Sequence, residues 1–134
     1  FRRPPFPPLK NDVTSALSGA IAASVSSYLM AVLFAYTFRI PIPLAAYYGP
    51  FGEISTYNMA FAEVLKSVLV AWVFYGIFGG FILLPAVGAI AGVVAGRKYR
   101  GARNRNGMIA LYSVITGSVP VAALSVLDYV IGPW

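Results

Sequence analysis

The chain of 134 residues is 59% apolar and only 10% charged, with a net charge of +6. Soluble domains are about 45–50% apolar and about 25% charged, so a water-soluble core of this size is excluded and lipid is the expected solvent. The chain has neither cysteine nor histidine, which excludes disulfides, thiolate nucleophiles and cysteine-ligated metals, and removes the commonest general base.

Residues 1–12 form a predicted proline-rich, basic arm. Four prolines among the first eight residues favour an extended, polyproline-type conformation. Such an arm is either a tail or a segment that lies on a neighbouring subunit. Because the sequence begins with Phe1 rather than methionine, we expect a chain that has lost a leader or is a fragment.

The first predicted membrane helix covers residues 13–38, which contain no charged side chain. A hydrocarbon layer about 30 Å thick requires roughly 20 helical residues, so this stretch is long enough to cross it. Asp12 stands just before the span and is placed to cap its first free N–H groups. Residues 39–63 follow as a predicted outer loop, broken by prolines and rich in aromatic side chains.

The second predicted helix, residues 64–96, is longer than a bilayer requires. At about 1.5 Å per residue, 33 helical residues reach roughly 50 Å. One end should therefore protrude or the helix should bend. Pro85 is the most obvious bend site, and the Gly79-Gly80 pair lies about one turn earlier.

Residues 97–106 form a predicted basic loop that contains five cations and no acid: Arg97, Lys98, Arg100, Arg103 and Arg105. Each Lys or Arg at mid-bilayer costs about 2.5–3.5 kcal/mol, so the loop must lie in water or among headgroups. Basic loops stay cytoplasmic, which predicts that the N-terminus and this loop are inside and the 39–63 loop and C-terminus outside. Beyond topology, the five cations could contact lipid phosphates or nucleic acid.

The third predicted helix covers residues 107–131, with Pro120 in its middle and Asp128 near its far end. An ionisable group in a membrane span is a functional hypothesis by default. Asp128 lies close enough to the interface to be solvated, so a solvated carboxylate and an ion or proton role both stay open.

Small residues recur at every fourth position in the spans and predict close helix packing. The candidate packing residues are Gly19, Ala23 and Ser27 in the first span, Gly76, Gly80, Gly88, Gly92 and Gly96 in the second, and Gly117 in the third. These faces pack either within the chain or against a copy or another subunit. Their number favours an assembly.

Enzymatic function is not expected. The chain has four acids, Asp12, Glu53, Glu63 and Asp128, and no two share a helix face at catalytic spacing. We expect no catalytic residue, metal site or cofactor, and bound phospholipid is the one candidate ligand.

Residues 64–131, two apolar helices rich in glycine and alanine joined by GRKYRGARNRNG, resemble the pilins of conjugative and type IV secretion systems. That resemblance implies a helical filament with phospholipid between subunits and the basic loop facing a lumen that conducts DNA or protein. The chain departs from those pilins by its additional N-terminal span and proline-rich arm.

Together these features predict an all-α single domain, residues 1–134, with three membrane-spanning helices. The first functional hypothesis is a non-enzymatic, self-assembling, pilin-like filament subunit, extracellular once assembled. Its partners would be copies of itself, anionic phospholipid and DNA passing through a lumen. The alternative is an accessory transmembrane subunit of a larger respiratory, photosynthetic or transport complex.

Overall fold

The structure, a computed structural model, describes residues 9–37 and 60–131; the side chains of residues 9–10, 125, 127–129 and 131 are not described. Its helices in chain order are α1 (Leu9–Thr37), α2 (Phe61–Tyr75), a π-helical turn (Gly76–Gly80), α3 (Phe81–Lys98) and α4 (Arg105–Ile131). The predicted all-α fold class is confirmed. The predictions for residues 1–8, for most of the 39–63 loop and for the Asp128 side chain fall outside what is described.

Three helical stretches are long and apolar enough to cross a membrane: Asn11–Thr37, Phe61–Lys98 and Arg105–Leu124. The distribution of side chains agrees with this, because large apolar residues such as Leu17 and Ile21 are exposed while Ser15 and Ser27 are buried. A water-soluble bundle would bury the large apolar groups instead. By helix length and hydropathy the chain is therefore an integral membrane protein with several spans.

The helix boundaries differ from the predicted ones mainly at the basic end. Helix α1 begins at Leu9 rather than at residue 13, so residues 9–12 belong to the helix and not to the arm. Asp12 lies within the first turn of α1, not before it. Helix α3 continues to Lys98 and α4 begins at Arg105, which shortens the basic connection to residues 99–104. At the other end, α2 begins at Phe61.

The second membrane stretch is interrupted at residues 76–80 and not at Pro85. Phe78 and Gly79 leave helical geometry there, and Gly79 has φ +116°, a value that favours glycine. Pro85 lies inside α3. Because α3 restarts at Phe81, the N–H that Pro85 lacks would have bonded only the first carbonyl of that helix.

Helix α1 contacts all three other helices. Its first half packs against α3 and α4, and its second half forms an apolar cluster with α2. The buried members of that cluster are Val32 and Ala35 of α1 with Val64, Val68 and Ala71 of α2.

Candidate functional site

The contact between α1 and α3 depends on glycine. A methyl group added to Gly19 would overlap the carbonyl oxygen of Gly88 and come within 2.9 Å of the Gly92 Cα. A methyl group on Gly96 would lie 2.6 Å from the Ser15 hydroxyl oxygen. No side chain larger than hydrogen fits at these positions, so the two backbones approach as in other small-residue membrane interfaces.

The predicted packing residues therefore divide into three groups. Gly19 and Ala23 of α1 contact Gly88 and Gly92 of α3 within one chain, Gly96 of α3 lies against Ser15, and Gly117 of α4 lies against Ala23. Ser27 accepts a hydrogen bond from Trp72. Gly76 and Gly80 have only local neighbours, the Phe81 ring and the Tyr75 backbone respectively. Most of the small-residue faces are thus used inside the chain, so any assembly must use other surfaces.

The interface between α1 and α3 ends at an ion pair between Asp12 and Arg97. The Arg97 guanidinium donates to Asp12 Oδ2 through Nη2 at 2.8 Å and through Nε at 3.2 Å. Arg100 approaches the other carboxylate oxygen at 3.8 Å. This pair joins the first turn of α1 to the last turn of α3, where a carboxylate at a helix N-terminus and a cation at a helix C-terminus are each favourable.

Arg105, the first residue of α4, binds both neighbouring helices. Its Nη2 donates to the Ser15 hydroxyl at 2.6 Å and to the Asn11 carbonyl at 3.4 Å, both on α1. Its Nε donates to the Gly96 carbonyl at 3.2 Å, near the end of α3. The planar guanidinium presents its N–H groups as a rigid fork, which allows one side chain to hold three helix ends together.

Lys98 lies over two tyrosine rings. Its ammonium is 5.5 Å from the centre of the Tyr99 ring and 5.8 Å from that of Tyr112, and it donates to the Tyr112 hydroxyl at 3.2 Å. The two hydroxyls are 3.5 Å apart. This hydrogen bond and partial burial raise the pKa of Tyr99.

Arg100 and Arg103 remain exposed on the connection between α3 and α4. Within the described residues, Arg103 has no ion pair or hydrogen bond through its side chain, and Arg100 has only the long approach to Asp12. The connection is held by turn hydrogen bonds, including Ala102 N–H to the Tyr99 carbonyl at 3.1 Å. Gly101, with φ +81°, provides the left-handed residue that the turn needs.

The five predicted contact residues thus occur at one end of the bundle but have different roles. Arg97 and Arg105 bind the chain itself, Lys98 lies on tyrosines, and Arg100 and Arg103 face outward. Sequence reasoning missed Asn11 and Ser15 as partners of Arg105. A usable signal existed, because the predicted topology already placed the start of α1 and the end of α3 on the same side of the membrane.

No family model matches the chain, and no curated protein or solved structure matches it either.

Proposed function

We propose that the chain is a non-enzymatic structural membrane subunit whose basic end binds the phosphates of anionic phospholipids. The arrangement that supports this is the contrast between paired and exposed cations. Arg97 and Arg105 brace the helix ends, and the tight connection between α3 and α4 presents Arg100 and Arg103 outward. A guanidinium matches the geometry of a phosphate, and each basic residue near an anionic surface contributes about 1 kcal/mol.

This binding places the basic end at the headgroup level, on the cytoplasmic side if the excess of basic residues sets the topology. The test is the lipid that co-purifies from vesicles containing equal parts of phosphatidylglycerol and phosphatidylcholine. We expect enrichment of phosphatidylglycerol around the parent protein. Replacing Arg100 and Arg103 together with serine should remove most of that enrichment.

Replacing the same two residues with lysine is the matched control, because it keeps the charge and should keep most of the enrichment. The chain has no cysteine, so a single cysteine at the exposed Ala102 reports which side of the membrane the connection faces. Unchanged enrichment in the serine variant with unchanged topology would contradict lipid binding. Binding of DNA rather than lipid, lost in the same variant, would assign the two arginines to nucleic acid.

The proposed assembly is a filament of identical subunits, as the resemblance to pilins implies. Because the small-residue faces of α1 and α3 meet inside the chain, copies would have to associate through the outer apolar faces and through lipid. Electron microscopy of the native preparation tests this, since filaments composed of this chain alone are the expected result.

An accessory subunit of a larger membrane complex is the second candidate. It is favoured by the exposed aromatic surface around the π-helical turn, where the ring centres of Phe74 and Phe78 lie 4.7 Å apart. Aromatic side chains are enriched in the contact surfaces of protein complexes. Single particles that contain several different chains would support this candidate over the filament.

A further inference from the structure

The packing register between α1 and its partner changes abruptly at the middle of α1. Ala23 contacts Gly88, yet Ser27, one turn later, accepts a hydrogen bond from Trp72 Nε1 at 2.9 Å. In a straight antiparallel pair of helices, a step of one turn along α1 moves the contact position on the partner helix by about four residues. Here the contact position moves from residue 88 to residue 72. The residues between these two contact positions, 73–87, therefore do not run alongside α1. We call them the elbow.

The elbow encloses a groove of about 340 Å³ against α1 and α4. Its lining includes the small side chains of Ala31 and Ala35 on α1 and Val121 of α4. The elbow contributes Phe78 and Leu83, whose residues are 74% and 65% exposed. The groove is thus bordered by side chains that face outward, toward the surrounding lipid.

Most of the described lining of the groove is apolar, and the polar groups of Trp72 and Thr116 already have partners. The Trp72 N–H is already bonded to Ser27, and the Thr116 hydroxyl is bonded to carbonyls of its own helix at 3.0 Å. No buried side-chain nitrogen or oxygen in the described residues lacks a hydrogen bond. An apolar occupant therefore suits the groove better than a polar one, and apolar cavities of about 150 Å³ are known to stay dry.

The depth of the groove places it in the hydrocarbon layer. Ser27 follows Asp12 by fifteen residues, or about 22 Å along α1, and the layer is about 30 Å thick. Asp12 and its arginine partner lie at the basic end, so Ser27 and Ala31 lie in the opposite half of the membrane. The medium around the groove is therefore made of acyl chains.

The volume of the groove suits an acyl chain. It is about twice that of a cavity that takes up benzene. From lining, depth and volume we infer that the elbow groove binds one acyl chain of a membrane phospholipid.

The test uses Trp72, which lines the groove, as a reporter. Replacing Trp134 with phenylalanine leaves Trp72 as the single tryptophan of the chain. The protein is reconstituted in phosphatidylcholine vesicles with or without bromine atoms on the acyl chains. We expect strong quenching of Trp72 by the brominated lipid. Ala31→Leu should reduce that quenching at least twofold, because the larger side chain occupies the groove.

Ala110→Leu is the matched control, since Ala110 is exposed on α4 and does not line the groove. It should leave quenching unchanged. If Ala31→Leu lowers the helix content, Val121→Phe fills the groove from α4 and should give the same reduction in quenching. Equal quenching in the parent and in a folded groove-filling variant would overturn the inference.

Two further outcomes would also overturn it. Cross-linking of two copies through a single cysteine at Ala31 would show that a protein partner lies in the groove. Quenching of Trp72 by acrylamide from water, in place of quenching by the brominated lipid, would show that the groove is hydrated. Because the vesicles are neutral and the variants keep Arg100 and Arg103, failure here leaves the proposed phosphate binding untouched.

Discussion

The two halves of the bundle are held together by different means. At the basic end, α1 and α3 approach through glycine, and Asp12, Arg97 and Arg105 fasten the helix ends. At the elbow end, α1 meets α2 through valine and alanine and through the hydrogen bond from Trp72, and a groove remains. Backbones that touch leave no space for a ligand, whereas larger side chains around a helix break do. The half at the basic end therefore suits fixed positioning of the helix ends, and the elbow half suits binding.

The largest effect is expected where the backbones of α1 and α3 touch. Gly92→Leu should destabilise the protein by about 3 kcal/mol or more, because any side chain there meets the Ser15 carbonyl. Reversible unfolding in detergent measures the loss. Gly107→Leu is the control, since nothing lies within 4 Å of a side chain added at Gly107. Equal losses of stability in both variants would mean that the glycine contact does not hold the basic end of the bundle together.

The next largest effect is expected from the arginine that joins three helix ends. Arg105→Met should cost about 2–3 kcal/mol, because charge-assisted bonds to Ser15 and the Gly96 carbonyl are lost. Arg103→Met removes a cation from the same connection without breaking such a bond, and its effect should stay within about 0.5 kcal/mol. The same unfolding assay compares the two variants. An equal loss of stability for Arg103→Met and Arg105→Met would contradict the claim that Arg105 joins the helix ends.

The stability of the protein should depend on Gly79, the one residue of the elbow with a left-handed backbone conformation. Gly79→Ala should cost about 1–2 kcal/mol, since φ +116° is unfavourable for a residue with a Cβ. Gly107→Ala, at a helical position of α4, should be neutral or stabilising by up to about 1 kcal/mol. If alanine at position 79 stabilised the protein, the helix would have to be continuous there and the elbow absent.

The smallest effect is expected at the hydrogen bond across the elbow half. Trp72→Phe should cost about 1 kcal/mol, because the Ser27 hydroxyl loses one donor but keeps its bond to the Ser24 carbonyl at 2.7 Å. Ser27→Ala should remove the same bond and cost a similar amount. The double variant should lose little more than either single variant, and a fully additive loss would argue against a direct bond between the two side chains.

The sequence was sufficient for the fold class because the properties that define it are local. An uncharged run of 26 residues and a cluster of five cations determine where a chain can and cannot cross hydrocarbon. The small-residue spacing likewise predicted a contact face on α1 that includes Gly19 and Ala23. What the spacing could not provide was the partner of that face, because glycine permits close approach without specifying which helix approaches.

The remaining differences come from contacts between distant parts of the chain. Helix α1 begins early at the end where Asp12 meets Arg97, a partner 85 positions away. The helix break lies at Gly79 rather than at Pro85, because proline is tolerated near the start of a helix while a positive φ selects glycine. The groove was not predictable, since its walls come from all four α-helices and the π-helical turn.

The most direct test of the account asks whether the faces of α1 and α3 meet within one molecule. Asp12 and Arg97 pair at the exposed end of this contact, and the chain contains no cysteine that could interfere. In the double variant Asp12→Cys/Arg97→Cys, a short bifunctional thiol reagent should cross-link the two cysteines within a single chain and leave the protein monomeric on denaturing gels. A cross-link that instead joins a tagged copy to an untagged one would show that these faces bind a second molecule, and would contradict the account.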